Sequence, residues 1–218
     1  MKLSEYFPVW DQLTEAQQNM LEHSAVYREI PKGTLLHNGE LDCLGMILVE
    51  SGRLRAYIVS EEGKEITIYR LLSRDICLFS ASCMMKNIQF EVTVEAETEA
   101  AVRIIPPSAF RGVMEESAAM ANYMNELMAG RLSDVVWLME QVMWKSFDSR
   151  LAAFLLEESA LEESDVLKIT QEKIADHLGT AREVVTRMLR YFQGEGAVKL
   201  SRGTIEILDR KKLEATAR

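Results

Sequence analysis

The sequence predicts an α+β protein made of three consecutive parts: an N-terminal β-roll, a long helix and a C-terminal winged helix-turn-helix. Three observations predict it. Short β-rich runs punctuated by glycine fill residues 27–105, an apolar helical tract follows Pro106-Pro107, and ITQEKIADHLGTAREVVTRMLR, Ile169 to Arg190, reads as two short helices hinged at Gly179. The boundaries that follow are 1–107 for the roll with short N-terminal helices, 108–145 for the long-helix region and 146–218 for the winged helix-turn-helix.

In the first part, Gly33, Gly39, Gly45, Gly52 and Gly63 bound runs such as Gly45 to Val49, Arg53 to Val59 and Glu65 to Leu72, and Glu61-Glu62-Gly63-Lys64 reads as a hairpin connection. Many short strands with regular turns imply a barrel or roll, whose interior can hold a small ligand. At 218 residues and 48% hydrophobic, the chain can bury a good core, and two domains are the natural expectation.

From Ser108 to about Lys145 the pattern is helical. Met120, Met124, Leu127, Met128, Leu132, Val135, Leu138, Met139 and Val142 form an apolar face too wide for one contact. One side is expected to cover the roll and the other to pack on a second copy as a coiled coil, placing a dimer interface on Met120, Met124, Leu127, Met128, Val135, Leu138 and Val142. The abundance of methionine is read as core and interface packing rather than ligation.

In the third part, Thr170 is an N-cap for a helix burying Ile174, Ala175 and Leu178, and Gly179 permits a left-handed turn. Thr180 is expected to cap the second helix, with Glu183 completing a capping box. Ala181, Val184, Val185, Met188 and Phe192 form its apolar face, which leaves Arg182, Glu183, Thr186, Arg187 and Arg190 on the other. An α-helix fits the major groove, where Arg pairs with guanine and a carboxylate accepts from the cytosine amino group. Reading residues sit near the N-terminus of the second helix of such a motif, so Arg182, Glu183, Thr186 and Arg187 are the candidate base readers. The competing reading is a helical hairpin with a solvated charged face. The segment Ala197 to Leu208 weighs against it, alternating as a β-hairpin about Ser201-Arg202-Gly203. This wing brings Arg202 to the DNA backbone, and Thr170, Gln171 and Thr180 are expected there too.

Charge agrees with this division. Residues 164–218 carry 11 Lys and Arg against 8 Asp and Glu, net +3, whereas residues 1–163 carry 14 against 26, net −12. An acidic protein with a mildly basic end does not coat DNA indiscriminately, because phosphate neutralisation supplies non-specific affinity. No secretory signal or apolar run of spanning length is present, which leads to the expectation of a cytoplasmic protein without membrane contact. Cys43, Cys77 and Cys83 form neither a disulfide framework nor a zinc knuckle, and no metal site is expected. The sequence has no GxxxxGK[ST], HExxH or GxSxG, so no catalytic residue is assigned and no enzyme is expected.

With these residues in hand, the chain resembles the Crp/Fnr superfamily of bacterial transcription regulators along essentially its whole length, most specifically in Ile30 to Glu40, in the turn Glu61 to Glu65 and in Ile174 to Asp209. The resemblance implies a double-stranded β-helix, cupin-like, for the roll. It also implies a homodimer on a palindromic operator of double-stranded DNA, contact with RNA polymerase, and DNA affinity set by an effector received in the roll. Arg182 looks like the catabolite-activator branch, which reads a TGTGA-type half-site; the oxygen-sensing branch has an apolar residue there.

The sensor departs from the family pattern. Cyclic-AMP receptors use a Gly-Glu pair and an Arg-Ser or Arg-Thr pair in the roll. Here no Gly-Glu follows Asp75, and Phe90 and Glu91 stand at the Arg-Ser positions, where a carboxylate repels a cyclic phosphate. Cyclic AMP is therefore not the expected effector, and three Cys are too few for an iron-sulfur cluster. Haem stays open as the cofactor of a gas-sensing regulator of the same fold, with His23, His37, His177, Cys and Met as candidate ligands; His37 is read as a surface or locally bonded residue. An apolar effector pocket is placed on Ile76, Leu78, Phe79, Cys83, Met85 and Phe90, against the alternative that they merely fill the roll. The remaining alternative is a cyclic-nucleotide-type regulatory subunit of an enzyme. A hinge for signal transfer is placed near Trp144 to Ser149.

Overall fold

The computed structural model describes residues 2–38, 44–78 and 91–218. It divides into two compact units, Met1–Ile58 with Ile68–Val135 and Val59–Thr67 with Val136–Arg218.

The first unit begins with 3₁₀ turns at Leu3–Glu5 and Trp10–Gln12 and helix α1, Glu15–Ser24. Thr14 caps α1 reciprocally: its hydroxyl accepts from the Gln17 N–H at 3.3 Å, and the Gln17 side chain accepts from the Thr14 N–H at 3.0 Å. Among the described residues eight strands follow: β1 Val26–Ile30, β2 Leu35–Asn38, β3 Met46–Ser51, β4 Leu54–Val59, β5 Glu65–Leu71, β6 Ile76–Cys77, β7 Thr93–Ala96 and β8 Ala100–Ile105. They form two four-stranded sheets, β1-β8-β3-β6 and β2-β7-β4-β5. The expected hairpin at Glu61–Lys64 is present between β4 and β5, with the Gly63 N–H donating to Ser60 O.

Strand β3 shows how the core is divided. Successive side chains point to opposite faces, and Met46 through Val49 are all fully buried. Ile47 and Val49 join Leu54, Ala56, Leu71, Val94 and Val102 in the core of the roll. Met46 and Leu48 join Phe7, Leu21, Phe110, Val113 and Met120 in a second, helix-covered core. Gly52 turns the chain from β3 into β4 at φ +80°, and a Cβ there would lie 2.2 Å from Glu99 O, so no other residue fits.

The roll also buries charge that the sequence pattern did not announce. Arg55 is fully buried; its guanidinium lies 4.2 Å from the Tyr57 ring centroid and donates to Glu95 Oε1 at 3.1 Å, its cross-strand partner. Glu97 Oε2 lies 3.0 Å from Arg53 Nε and 3.1 Å from Arg70 Nε. Buried ions persist only when paired in this way.

The helical tract is not continuous from Ser108. Helix α2, Pro107–Glu116, opens with proline in its first turn, and Ser117 leaves helical geometry. The Ser117 hydroxyl accepts from the Met120 N–H at 3.3 Å and starts α3, Ala118–Trp144. Tyr123 donates to Tyr6 O at 2.9 Å. Arg131 lies 4.4 Å from the Tyr69 ring centroid and pairs with Asp134 at 3.0 Å. Burial pushes the Tyr69 hydroxyl well above its ordinary range, with Cys77 the next contributor.

Two expected dimer-interface residues are corrected here. Met120 is fully buried and Met124 only 6% exposed, both in their own chain's helix-covered core. Leu127 packs partly on the same core. Outward-facing apolar side chains begin at Met128 and continue through Leu132, Met139 and Val142.

The second unit contains α4 Phe147–Leu161, β9 Val166–Leu167, α5 Gln171–Leu178, α6 Arg182–Gly194, β10 Val198–Ser201, β11 Thr204–Ile207 and α7 Arg210–Ala217. The α3–α4 break at Lys145 and Ser146 falls in the expected hinge. The wing hairpin β10-β11 carries β9 as a third, two-residue strand. Helix α7 is capped by the Asp209 carboxylate, which accepts from the Lys212 N–H at 3.2 Å, and Ser149 of α4 donates to Ala217 O at 3.2 Å. The arm Val59–Thr67 belongs to this unit. Within it Ile66 bridges to Leu178, and the Thr67 hydroxyl lies 2.7 Å from His177 Nδ1.

Candidate nucleic-acid interface

Helix α5 starts as its sequence dictates, with the Thr170 hydroxyl accepting from the Lys173 N–H at 3.1 Å. It ends at Gly179, whose φ of 66° and ψ of 41° are left-handed. The turn that follows differs from the expectation. The Thr180 N–H is spent on Ala175 O, the N-cap of α6 is Ala181, and no side chain caps the helix. The Thr180 and Glu183 capping box does not form. Its physical consequence is that Glu183 stays exposed in the first turn, beside uncapped N–H groups at the positive end of the helix dipole.

Val185, Leu189 and Phe192 are the buried residues of α6, packed with Leu151, Leu155, Ile174 and Ile205. Leu189 belongs to this face although the apolar spacing starting from Ala181 passed over it. The opposite face is open. Arg182, Glu183, Thr186, Arg187 and Arg190 line one groove with Gln171, Gln193 and Leu200. An adjoining groove runs from Thr170, Gln171, Glu172 and Arg182 to Ser201, Arg202 and Gly203 of the wing turn. All four expected base readers thus share one surface, and Arg202 of the wing reaches the groove next to it. Among the expected backbone contacts Thr170, Gln171 and Arg202 are brought together, while Thr180 lines neither groove.

Two polar contacts cross between α5 and α6. Thr186 Oγ1 lies 2.5 Å from Gln171 Oε1 and 2.9 Å from Arg182 O. Arg182 Nε lies 3.9 Å from Glu172 Oε2, with both side chains well exposed. Glu172 was not among the expected site residues; its place in the groove depends on how the helices cross.

The sensor candidates are less assembled. Ile76 and Leu78 are buried in the helix-covered core with Leu3, Phe7 and Met46. Phe79, Cys83, Met85 and Phe90 lie outside the described residues. His37, read as a surface or locally bonded residue, is buried in β2, opposite Val94. His23 contacts Asn19 O at 2.7 Å within its own helix, and His177 packs 5.2 Å from the Phe154 ring. The three histidines therefore occupy separate environments. Among the described residues no group of three His, Cys, Asp or Glu is placed to hold a metal ion, and no helix is long and apolar enough to cross a membrane.

With this geometry established, comparison with known proteins is informative. Residues 149–216 match the Crp-like helix-turn-helix domain, and residues 27–117 match the cyclic nucleotide-binding domain. A crystal structure from Eubacterium rectale, assigned as a transcriptional regulator of the crp/fnr family, is 58% identical, with a TM-score of 0.96 over 98% of this chain and 99% of that one. The transcriptional activator protein anr of Pseudomonas aeruginosa is 26% identical over 202 residues, 86% of this chain and 81% of the relative. The cAMP-activated global transcriptional regulator CRP of Salmonella typhimurium is 24% identical over 193 residues, 86% of this chain and 91% of the relative. These relatives are transcriptional regulators rather than enzymes. Identity of 58% over nearly the full length, joined to the two family domains that match, means that the chain belongs to the Crp/Fnr family of DNA-binding transcriptional regulators.

Proposed function

We propose that the protein is a cytoplasmic homodimer that reads a palindromic operator through α6 and engages RNA polymerase under control of a signal received in the roll. The observation that carries the reading is the single groove shared by Arg182, Glu183, Thr186 and Arg187. Arg182 and Arg187 each suit guanine, and Glu183 suits the cytosine amino group. Half-sites containing G and C, with centres about one helical turn apart, follow from two copies of this helix in a two-fold dimer.

The dimer reading rests on α3. Met128, Leu132, Val135, Met139 and Val142 recur at alternating spacings of four and three, the pattern of a coiled-coil seam, and Leu132 and Met139 are 65% and 55% exposed. Relative to the sequence expectation, the proposed seam begins eight residues, about two turns, further along the helix, at Met128 in place of Met120, and still ends at Val142.

The roll is proposed to respond to something other than cyclic AMP. Glu91, at a position where the phosphate-binding pair of cyclic-AMP receptors would stand, is exposed and acidic, and no Gly-Glu follows Asp75.

The test is selection of binding sites from random duplex DNA by the full chain, followed by titration of the selected site. A palindrome with G in each half-site is expected, with no gain in affinity on adding cyclic AMP. Replacing Arg182 and Arg187 with Ala should abolish the preference while leaving the native mass unchanged. Sequence-specific binding retained by that double variant would refute the reading.

A further inference from the structure

The grooves beside α6 contain one acidic side chain from α5, and its position gives it a use. Glu172 follows Gln171 at the start of α5 and lines the groove that also contains Arg182 and the wing turn. A carboxylate facing DNA lowers non-specific affinity, since phosphates repel it. It is also the group best matched to an arginine, whose planar guanidinium carries donors in a rigid fork.

We propose that Glu172 is a specificity-determining residue that orients Arg182 for base reading, a role that rests on the reading of α6 as the DNA-contacting helix. Arg182 has a long side chain with several rotatable bonds, and among the described residues Glu172 is its ion-pair partner in the groove. Glu172 Oε2 lies 3.9 Å from Nε, the inner nitrogen of the guanidinium; closing that distance to a hydrogen bond on DNA binding would leave the two outer nitrogens for a base. The pair is weak in water because both groups are exposed. Insertion into a groove removes water and strengthens it, so its effect appears in the bound state. The neighbouring contact acts in the same direction. Gln171 Oε1 takes the Thr186 hydroxyl at 2.5 Å, and the same hydroxyl lies 2.9 Å from Arg182 O. The first turn of α5 thus reaches α6 near both Arg182 and Thr186, and the Arg182 contact gains strength when DNA excludes water.

The experiment compares the full-length protein with Glu172→Gln and Glu172→Asp, measuring affinity for the duplex selected by the unsubstituted chain, for that duplex with the Arg182-contacted base pair exchanged, and for a scrambled duplex. The Gln variant removes the charge, and the Asp variant keeps the charge but loses reach. Discrimination at the Arg182 base pair is expected to fall about two- to five-fold in both variants, the size of a modest ion pair, while scrambled DNA binds more tightly only to the Gln variant. If the Gln variant tightens on all three duplexes equally, or the Asp variant discriminates like the unsubstituted protein, Glu172 is only an electrostatic brake and the proposal is overturned. Absence of any sequence preference in the unsubstituted protein would overturn the regulator reading itself, which distinguishes the two failures.

Discussion

The Thr67 hydroxyl lies 2.7 Å from Nδ1 of His177, joining the β4–β5 arm to the first helix of the helix-turn-helix. His177 is buried in α5, and Ile66 stands beside it, bridged to Leu178. The Ile66 side chain lies within 3.0 to 3.3 Å of where a Cβ on Gly179 would stand. The left-handed turn that aims α6 is thus flanked by the arm, and glycine is required there for both its φ and its lack of a side chain.

Replacing Thr67 with Val removes one hydrogen-bonding hydroxyl and keeps the shape. A loss of about 1 kcal/mol is expected, the net worth of one buried hydrogen bond. Denaturant unfolding monitored on the helix-turn-helix unit would measure it; a stability equal to that of the unsubstituted chain would show the contact to be idle.

Glu97 pairs with Arg53 and Arg70 inside the roll, Oε2 lying near both Nε atoms and Oε1 accepting from Arg70 Nη2 at 3.1 Å. Glu97→Ala removes the shared anion from two buried guanidinium groups, and removing one partner of a buried pair costs about 3 to 5 kcal/mol. The expected result is a roll that unfolds at much lower denaturant, with Glu97→Gln intermediate. Urea titration of both variants supplies the comparison.

Leu132 and Met139 are exposed on one stripe of α3. Changing both to Asp puts like charges across the proposed two-fold seam, so the native mass should fall from dimer to monomer and operator affinity should fall with it. Because neither side chain contributes to a described core, the far-ultraviolet spectrum of each chain should persist. A double variant that stays dimeric in sedimentation would place the interface elsewhere.

Tyr6 donates to Val49 O at 2.8 Å, and burial, reinforced by the Glu50 carboxylate, pushes its hydroxyl from 10.0 up to about 12. The folded state therefore keeps the proton over a pH range in which the unfolded chain releases it. This contribution is fully present below pH 10 and is lost as pH rises towards about 12. Stability followed across that window should decline less steeply in Tyr6→Phe than in the unsubstituted protein. Parallel slopes would assign the alkaline loss to other groups.

Much of the reading face was legible because helical rules act over three to four residues. Thr170 at a cap, Gly179 at a left-handed turn and polar residues at 182, 183, 186 and 187 follow from the backbone of α5 and α6 alone. The glycine-bounded strands and the wing turn were legible for the same reason. Where two local choices competed, the sequence was ambiguous. Thr180 was the better cap by residue type, yet its N–H is taken by Ala175 O and α6 starts from Ala181, and β9 is too short to show a period.

By itself the sequence determined the kinds of element, their order and the chemistry of the open face of α6 proposed to read DNA, because hydrogen-bond geometry and side-chain period are local. Only the tertiary structure decided which side of an apolar helix its own chain covers. Met120 is buried because Phe7 and Phe110 reach it, and Arg131 is turned inward by Tyr69. It also decided that Arg55 meets Glu95, a pairing set by cross-strand register, and that Glu172 meets Arg182, a pairing set by how two helices cross. Those contacts join residues far apart in the chain, and their energies depend on burial and distance, which no local pattern encodes.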